Sequence, residues 1–372
     1  MSKPRLLLVG GFLGAGKTTL LAEAATRLMR QGKRVGLIAN DQAADLVDTQ
    51  ILKDAGAGVE EVAGGCFCCR FPDMVAAIKR LVHQAEVDML LGEPVGSCTD
   101  LSATVMQPLK QLYAEAFDTG PFSVLVDARQ VGVLARLQAA GENTEPVAFP
   151  DSVLYIYRKQ LEEADVIVLN KADLLAPSAL ADLRTALAEK FPQTPILAMS
   201  ALTGDGVGGW LEFVAHSQSA GQKLAEVDYD TYAAGEAALG WLNASAKLEA
   251  RQAIDWQAFA VQLLEAIRQS LRAQGAQIAH LKLYLAAGGT STAGNITGND
   301  SPVSVRGEVS AAERGVSLTL NARVHATPDL LRNVVQQSLA STAGEQMAVK
   351  ITNMRSFFPE RPQPTYRFDR VV

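Results

Sequence analysis

Cysteine and histidine are scarce in this sequence, and it lacks both long apolar runs and a surplus of positive charge. The 372 residues include 4 cysteines and 4 histidines, and the net charge at pH 7 is −6. Because lysine and arginine do not outnumber aspartate and glutamate, no excess of positive charge is present to neutralise phosphates, and the composition argues against a nucleic-acid partner. No apolar run approaches the roughly 18 residues of a membrane-spanning helix, so we expect no membrane partner.

The cysteines are too clustered for a disulfide scaffold. Cys66, Cys68 and Cys69 lie together and Cys98 lies apart, whereas a disulfide framework spreads its cysteines along the chain. The first apolar run, Leu6–Val9, is too short for the core of a signal peptide. We therefore expect a cytoplasmic protein whose cysteines serve metal or redox chemistry.

Apolar segments alternate with helical patterns over about the first 220 residues. This alternation is typical of an α/β protein, and strands that are apolar throughout indicate a parallel sheet covered by helices on both faces. We predict a mostly parallel sheet flanked by helices over residues 1–222 and a smaller α+β domain over residues 223–372. The predicted strands of the first domain are Leu6–Val9, Val35–Ala39, Asp88–Leu91, Phe122–Val126, Val166–Leu169 and Pro195–Met199.

The pattern changes after about residue 223, where helices and alternating strands are predicted in another order. Alternation of apolar and polar residues indicates a sheet with one wet face, and Thr327 followed by proline is typical of a helix start. Gly288–Asp300 is predicted to be a flexible loop. The predicted helices are Asp228–Leu242, Asp255–Gln274 and Thr327–Leu339, and the predicted strands are Leu281–Leu285, Val303–Val309, Val316–Val324 and Met347–Phe358.

A glycine-rich segment between the first strand and a predicted helix, Thr19–Met29, matches the phosphate-binding pattern G-x-x-x-x-G-K-[ST]. Backbone amides and the helix N-terminus would bind phosphate oxygens. Lys17 would reach the β- and γ-phosphates, and the Thr18 hydroxyl would ligate Mg²⁺. The fold class is therefore an α/β P-loop NTPase. The predicted phosphate contacts are Gly11, Gly14, Ala15, Gly16, Lys17, Thr18 and Thr19.

An N-K-x-D segment follows the fifth predicted strand, from Asn170 to Asp173. The Asp173 carboxylate can accept hydrogen bonds from N1–H and the 2-amino group of guanine, which adenine lacks. Asn170 would tie the strand end to the P-loop, and the Lys171 stem would lie over the base. Ser200 and Ala201 follow the sixth strand and would complete the base-contacting loop. The nucleotide is thus predicted to be GTP or GDP.

Two acidic residues follow strands of the predicted sheet. Glu93, three residues before Gly96, would hold Mg²⁺ through water or orient the attacking water. Asp41 is a second candidate for the metal shell, with a helix N-cap as the alternative role. The residues predicted to serve catalysis are Lys17, Thr18, Glu93 and Asp41, with Thr18 and Glu93 as the Mg²⁺ ligands.

Three cysteines within four positions favour a transition-metal site. Thiolates at this density suit Zn²⁺ or Co²⁺, and three protein ligands leave a fourth position open for a transferable ion. Cys66, Cys68 and Cys69 are the predicted ligands, and Cys98 is an alternative fourth donor. The competing interpretation is that all four are buried apolar side chains.

Together these segments resemble the CobW-like GTPases, P-loop proteins related to the nickel-inserting GTPases of hydrogenase and urease maturation. The resemblance rests on Gly10–Leu20, Gly64–Cys69, Glu93 with Gly96, and Asn170–Asp173. It implies a GTPase domain, a C-x-C-C metal site, and a role as metallochaperone or metalloenzyme activator. The client would be a metalloenzyme or another cofactor-dependent protein, held partly by the C-terminal domain.

The sequence departs from the family pattern at several positions. The usual N-E-F-G-E is replaced by the segment Asn40–Asp45, so Asp41 takes the Mg²⁺-binding position, and the usual E-T-S-G is replaced by Glu93–Gly96. Many members carry a histidine-rich stretch, whereas the four histidines here form no cluster. These departures argue against high-capacity metal storage, and the cognate metal and client cannot be taken from the family.

We interpret the protein as a GTP-hydrolysing metallochaperone in which the γ-phosphate orders Asp41, Glu93 and the cysteine segment together. No arginine is evidently placed as an in-cis finger, with Arg70 as the one candidate, so slow turnover is expected. The alternative is a GTP-driven switch that loads or repairs a cofactor such as a corrinoid on a client, with zinc only structural. A small-molecule kinase is disfavoured by Asp173. A homo-oligomer is among the assemblies that the sequence allows.

Overall fold

The computed structural model describes residues 3–42, 46–130 and 149–372. Spatial contacts group the chain into two units. The first contains Met1–Gln42, Ile51–Gly235 and Arg361–Val372, and the second contains Ala43–Gln50 and Glu236–Glu360. The grouping by contacts does not test which parts fold independently, so the domain boundary at 222/223 stays a prediction.

A parallel sheet forms the centre of the first unit. Its order is β3-β2-β4-β1-β6-β7-β8, and the short β5 pairs with β1. All six strands predicted for this part of the chain are present. The strands are β1 Arg5–Gly11, β2 Val35–Asp41, β3 Gly58–Ala63, β4 Met89–Glu93, β5 Asp118–Thr119, β6 Ser123–Asp127, β7 Val166–Asn170 and β8 Ile196–Ala198.

Helices cover this sheet, and α1 packs its apolar face, with Leu21, Ala25 and Leu28, on Leu7 and Val9 of β1. Among the described residues, no helix combines the length and apolarity needed to cross a membrane. The helices are α1 Lys17–Arg30, α2 Val47–Asp54, α3 Phe71–Ala85, a π-helical turn Ser102–Met106 that continues into α4 Gln107–Leu112, α5 Asp151–Glu162, α6 Pro177–Lys190, α7 Val207–His216 and α8 Tyr229–Ala237.

Two strands of this sheet, β3 and the short β5, were not predicted, and β3 immediately precedes the cysteine segment. Gly58–Ala63 contains two adjacent glutamates and is only partly buried because it is the edge strand next to β2. It therefore lacks the apolar run by which the other strands are recognised. The cysteine segment thus connects β3 to α3 and lies between the second and third predicted strands, which are β2 and β4.

The carboxyl ends of the parallel strands carry most of the predicted site residues. β1, β2, β4 and β7 end at Gly11, Asp41, Glu93 and Asn170. In an open parallel sheet these ends meet in the crevice where ligands bind. The fold therefore gathers residues that are far apart in sequence at one edge.

The second unit is an antiparallel sheet with two helices packed on it. Its strand order is β12-β11-β10-β13-β9-β14. Alternate residues of the strands, such as Leu242 and Leu248 of β9, face a core shared with the helices. The elements are β9 Gly240–Ala250, α9 Trp256–Ala273, β10 Gln277–Ala287, β11 Thr290–Ile296, β12 Ser304–Gly307, β13 Gly315–His325, α10 Pro328–Ala343 and β14 Met347–Phe357.

Two predictions for the C-terminal part are wrong. The helix predicted for Asp228–Leu242 ends at Ala237, and Gly240–Ala250 is a strand whose alternating Leu and Ala side chains enter the core. The loop predicted for Gly288–Asp300 contains β11, because Gly288 and Gly289, with φ of 57° and 78°, form a tight hairpin turn.

Candidate functional site

The P-loop is held in a conformation that only glycine adopts easily. Gly11, Gly14 and Gly16 have φ values of 125°, 79° and 97°. A Cβ on Gly11 would overlap the backbone of Leu125, and one on Gly16 would overlap the Asn170 side-chain amide. Gly16 immediately precedes α1, and within the described residues no side chain caps that helix. The N-terminus of α1, where backbone amides can bind an anion, therefore begins directly at the P-loop.

Lys17, Thr18 and Glu93 come together in a buried cluster. The Lys17 Nζ donates to the carbonyl oxygen of Gly11 at 2.9 Å and lies 4.0 Å from Glu93 Oε1. The Thr18 hydroxyl donates to Glu93 Oε1 at 3.1 Å. A Cβ added to Gly96 would lie 3.0 Å from Lys17 Nζ. The structure thus places Glu93 and Gly96 against the P-loop.

Asn170 connects β7 to the P-loop and to the loop after β8. Its side-chain amide donates to the carbonyl oxygen of Ala15 at 2.8 Å, and its carbonyl oxygen accepts from the Ala201 amide at 2.9 Å. Ser200 is buried next to Ala201, whereas Asp173 is exposed. The predicted base-contacting residues therefore lie on two loops joined by one side chain.

Asp127, at the carboxyl end of β6, is a site residue that the sequence analysis missed. Its buried carboxylate forms ion pairs with Lys171 Nζ at 2.5 Å and with Arg129 Nη2 at 3.0 Å. Burial acts to raise the pKa of Asp127, but the hydrogen bond from Arg129 and the charge of Lys171 outweigh it and lower the pKa. Its position at a strand end next to β7 is the signal that could have identified it.

The three clustered cysteines have a geometry that suits a metal ion. Their sulfurs lie within 4.8 Å of one another, with separations of 2.9 Å for Cys66–Cys68, 3.1 Å for Cys66–Cys69 and 3.7 Å for Cys68–Cys69. Sulfurs about 2.3 Å from a tetrahedral zinc ion would be about 3.8 Å apart. The longest separation matches this value, and the others would need to widen by less than about 1 Å.

The pKa values of the three thiols of this cluster are shifted in different directions. Hydrogen bonds with Cys68, Cys69 and Cys98 lower the pKa of Cys66 well below its ordinary value. Hydrogen bonds with Cys66 and Cys69, together with burial, raise the pKa of Cys68. The hydrogen bond with Cys66 raises the pKa of Cys69 to about 12. One thiolate is thus stabilised by its neighbours, and a soft cation would compete for all three sulfurs.

Asn40, next to Asp41 at the end of β2, fixes the cysteine loop. Its side-chain amide donates to the carbonyl oxygens of Val62 and Gly65 at 2.8 and 2.7 Å, and its carbonyl oxygen accepts from the Phe67 amide at 2.8 Å. Asp41 itself is buried and is the last residue of β2. Ala43–Asp45, the end of the segment that departs from the family pattern, lies outside the described residues.

The segment Glu93–Cys98 extends from the P-loop to the cysteines. Its first residue contacts Thr18, and the thiol of its last residue is a hydrogen-bond partner of Cys66. Gln160 of α5 donates to the carbonyl oxygens of Gly96 and Cys98 at 3.0 and 2.8 Å and so fixes the segment. Cys98 is buried beside the cluster. A segment of six residues therefore joins the candidate phosphate site to the candidate metal site.

Arg70, the candidate for an arginine finger, has a local partner. It forms an ion pair with Asp73 at 2.6 Å, one turn along the start of α3, and both side chains are about half exposed. It thus lies beside the cysteine segment and pairs with α3.

The chain is similar to metal chaperones over its N-terminal half. Residues 5–198 match the family model described as CobW/HypB/UreG, nucleotide-binding domain. Zinc chaperone CobW of Pseudomonas aeruginosa is 28% identical over 214 residues, which are 52% of this chain and 55% of that protein. Zinc chaperone YeiR of Escherichia coli is 30% identical over 182 residues, 47% of this chain and 48% of YeiR. The chain thus spans about half the length of the curated relatives it matches.

A solved structure is similar over most of the chain at low identity. Zn(II)-bound YjiA GTPase from Escherichia coli is 16% identical and covers 91% of this chain and 99% of that one, with a TM-score of 0.34. The family model covers just over half of this chain. The chain therefore belongs to the CobW/HypB/UreG family, whose nucleotide-binding domain is formed by residues 5–198.

Proposed function

We propose that the protein is a GTP-hydrolysing metallochaperone that couples GTP binding and hydrolysis to the binding and delivery of a divalent transition metal. The observation that carries this proposal is the segment Glu93–Cys98, which contacts Thr18 of the P-loop at one end and Cys66 of the cysteine cluster at the other. A change at the γ-phosphate would therefore act on the metal site through a chain of five peptide bonds.

GTP would bind with its phosphates on the amides that follow Gly14 and with Lys17 paired to the β- and γ-phosphates. Mg²⁺ would be held by Thr18 and Glu93, whose hydroxyl and carboxylate oxygens lie 3.1 Å apart and are the hard ligands this ion prefers. When bound, Mg²⁺ neutralises charge on the phosphate oxygens. Lys17 moves from the carbonyl oxygen of Gly11 to the phosphates, and Glu93 or Asp41 orients the attacking water.

Guanine would be selected by Asp173, whose exposed carboxylate is free to face a base from the turn after β7. The stem of Lys171 would cover the base. Its ammonium group is fixed by Asp127, so the base site includes a residue outside the N-K-x-D segment.

Changing Asp127 to Asn should weaken GDP and GTP binding. The substitution removes the charge that orients Lys171 and leaves a partly buried ammonium without its anion. A hydrogen bond to a charged group contributes about 1.5–3 kcal/mol, so the dissociation constant should rise about 10- to 100-fold. Titration with a fluorescent GDP measures it, and Asp182→Asn, which changes an exposed carboxylate on α6, is the matched control. An unchanged affinity in Asp127→Asn would remove Asp127 from the base site.

The cargo would be Zn²⁺ or Co²⁺ bound by Cys66, Cys68 and Cys69. Because the pKa values of Cys68 and Cys69 are raised, the ion must displace their protons, and its affinity should rise with pH. Cys98, buried beside Cys66, would supply a fourth sulfur. Release would pass the ion to a client metalloenzyme in the cytoplasm, and the protein would need neither a membrane nor a nucleic acid.

Metal titration of the GTP, GDP and nucleotide-free forms tests the coupling. If the γ-phosphate sets the position of Glu93–Cys98, the affinity for Zn²⁺ should differ between the GTP and GDP forms by about 5- to 150-fold, the usual range of allosteric coupling. Equal affinity in all three forms would favour a GTP-driven switch that loads a cofactor such as a corrinoid, with zinc structural. Competition by ATP at the concentration of GTP would favour a small-molecule kinase.

A further inference from the structure

The segment Arg361–Val372, which we name the cover segment, belongs to the first unit and lies along the cysteine loop. The backbone amide of Gln363 donates to the Cys69 sulfur at 3.2 Å. The amide of Thr365 donates to the carbonyl oxygen of Cys68 at 2.8 Å, and its hydroxyl donates to that of Cys69 at 3.3 Å. Two of the three candidate metal ligands are therefore contacted by residues nearly 300 positions away in the sequence.

An ion pair between the exposed Arg367 and the buried Asp100 anchors the cover segment. Arg367 Nε donates to Asp100 Oδ2 at 2.7 Å, and the hydroxyl of Tyr229 donates to the same oxygen at 2.7 Å. Burial raises the pKa of Asp100, and the hydrogen bonds from Tyr229 and Arg367 act against this rise. Beyond the anchor, the amide of Phe368 donates to the carbonyl oxygen of Ala103 at 3.0 Å. Each of these contacts lies within one unit of the structure.

The cover segment lies on the side of the cluster that solvent reaches. Cys66 and Cys68 are buried, and Cys69 is the partly exposed member of the three. The amide that contacts Cys69 is also preorganised, because Gln363 stands between Pro362 and Pro364, and prolines hold the backbone extended. An N–H group directed at a thiolate stabilises its charge.

We propose that the cover segment is part of the metal site, with the Gln363 amide as a positioning donor to the Cys69 thiolate and the Arg367–Asp100 ion pair as the latch that sets how fast the ion enters and leaves. This inference rests on the proposed binding of metal by the cysteine cluster. Delivery to a client then requires that the latch opens, so the client competes with Asp100 for the cover segment as well as with the thiolates for the ion.

Replacing Gln363 by proline tests the positioning donor, because it removes the N–H group and preserves an extended backbone. The matched control is Gln363→Ala, which removes the side chain and keeps the amide. The probe is Co²⁺ alone, followed by the absorbance of its thiolate charge-transfer band. Partners of metal ligands contribute about 10- to 100-fold to affinity, so Gln363→Pro should bind Co²⁺ at least about 10-fold more weakly than Gln363→Ala.

Replacing Arg367 by alanine tests the latch. Transfer of Zn²⁺ from the loaded full-length protein to a chromogenic chelator should be at least about 10-fold faster than in the parent, and Arg370→Ala, in the same exposed stretch, is the matched control. If Gln363→Pro matches Gln363→Ala and Arg367→Ala releases Zn²⁺ at the parental rate, the inference is overturned while metal binding stands. If the parent protein binds no Co²⁺, the proposed function itself fails.

Discussion

Replacement of Cys68 by alanine should abolish stoichiometric metal binding and leave GTP binding in place. Cys68 is buried, and its sulfur lies 2.9 Å from that of Cys66 and 3.7 Å from that of Cys69. Since even partners of metal ligands contribute about 10- to 100-fold, loss of a ligand should lower the affinity for Zn²⁺ or Co²⁺ more than about 100-fold. Metal competition titration measures this, and titration with fluorescent GDP measures the nucleotide site in the same sample.

The isosteric variant Cys68→Ser separates ligand loss from cavity formation. A serine hydroxyl fills the space of the thiol but is a poor ligand for a soft cation, so this variant should lose metal as well. The backbone carbonyl of Cys68, which accepts from Thr365, is retained in both variants. Loss of both metal and GDP binding in Cys68→Ala and Cys68→Ser would mean that the cysteines are simply part of the protein core.

Replacement of Lys17 by alanine should reduce GTP hydrolysis at least about 100- to 1,000-fold, the range seen when one donor to a developing charge is removed. In the structure the buried Lys17 ammonium is held by the carbonyl oxygen of Gly11 and lies 4.0 Å from Glu93. It is therefore positioned to stabilise the negative charge that develops on the phosphate oxygens as the γ-phosphate leaves. Release of inorganic phosphate under saturating GTP measures the rate.

The matched control for this variant is Lys33→Ala, which removes an exposed lysine from the turn after α1. It should hydrolyse GTP at the parental rate. Thermal unfolding without nucleotide shows whether Lys17→Ala is folded. A folded Lys17→Ala protein with more than half the parental rate would contradict the assignment of the P-loop as the hydrolytic site.

The parallel sheet and its P-loop were accessible from the sequence because their signals are local. A strand buried on both faces is an apolar run, and the conformations of Gly11 and Gly16 require glycine at fixed spacing. β3 and β9 were missed because their signals are weak: one is a charged edge strand, and the other has leucine and alanine at its core-facing positions, residues that also suit a helix. Local patterns identify elements best where burial is complete.

The supporting residues of the site could be predicted only in part. Asp127 and Asn40 stand at strand ends, and the rule that such ends meet would have brought both into consideration. The hydrogen-bond partners of the Asn40 side chain, however, depend on the path of the loop Val62–Phe67, and no local sequence pattern specifies that path. The contact between Gln363 and Cys69 joins residues 294 positions apart and left no signal in either segment.

That separation has a consequence for biosynthesis. At about 5–20 residues per second, a ribosome needs about 15 to 60 s to translate the stretch between Cys69 and Gln363. During this interval the cysteine segment of the nascent chain lacks its contacts with Gln363 and Thr365. With the cysteine cluster as the proposed metal site, the first ion that a new molecule binds would therefore be set by the free metal around the ribosome.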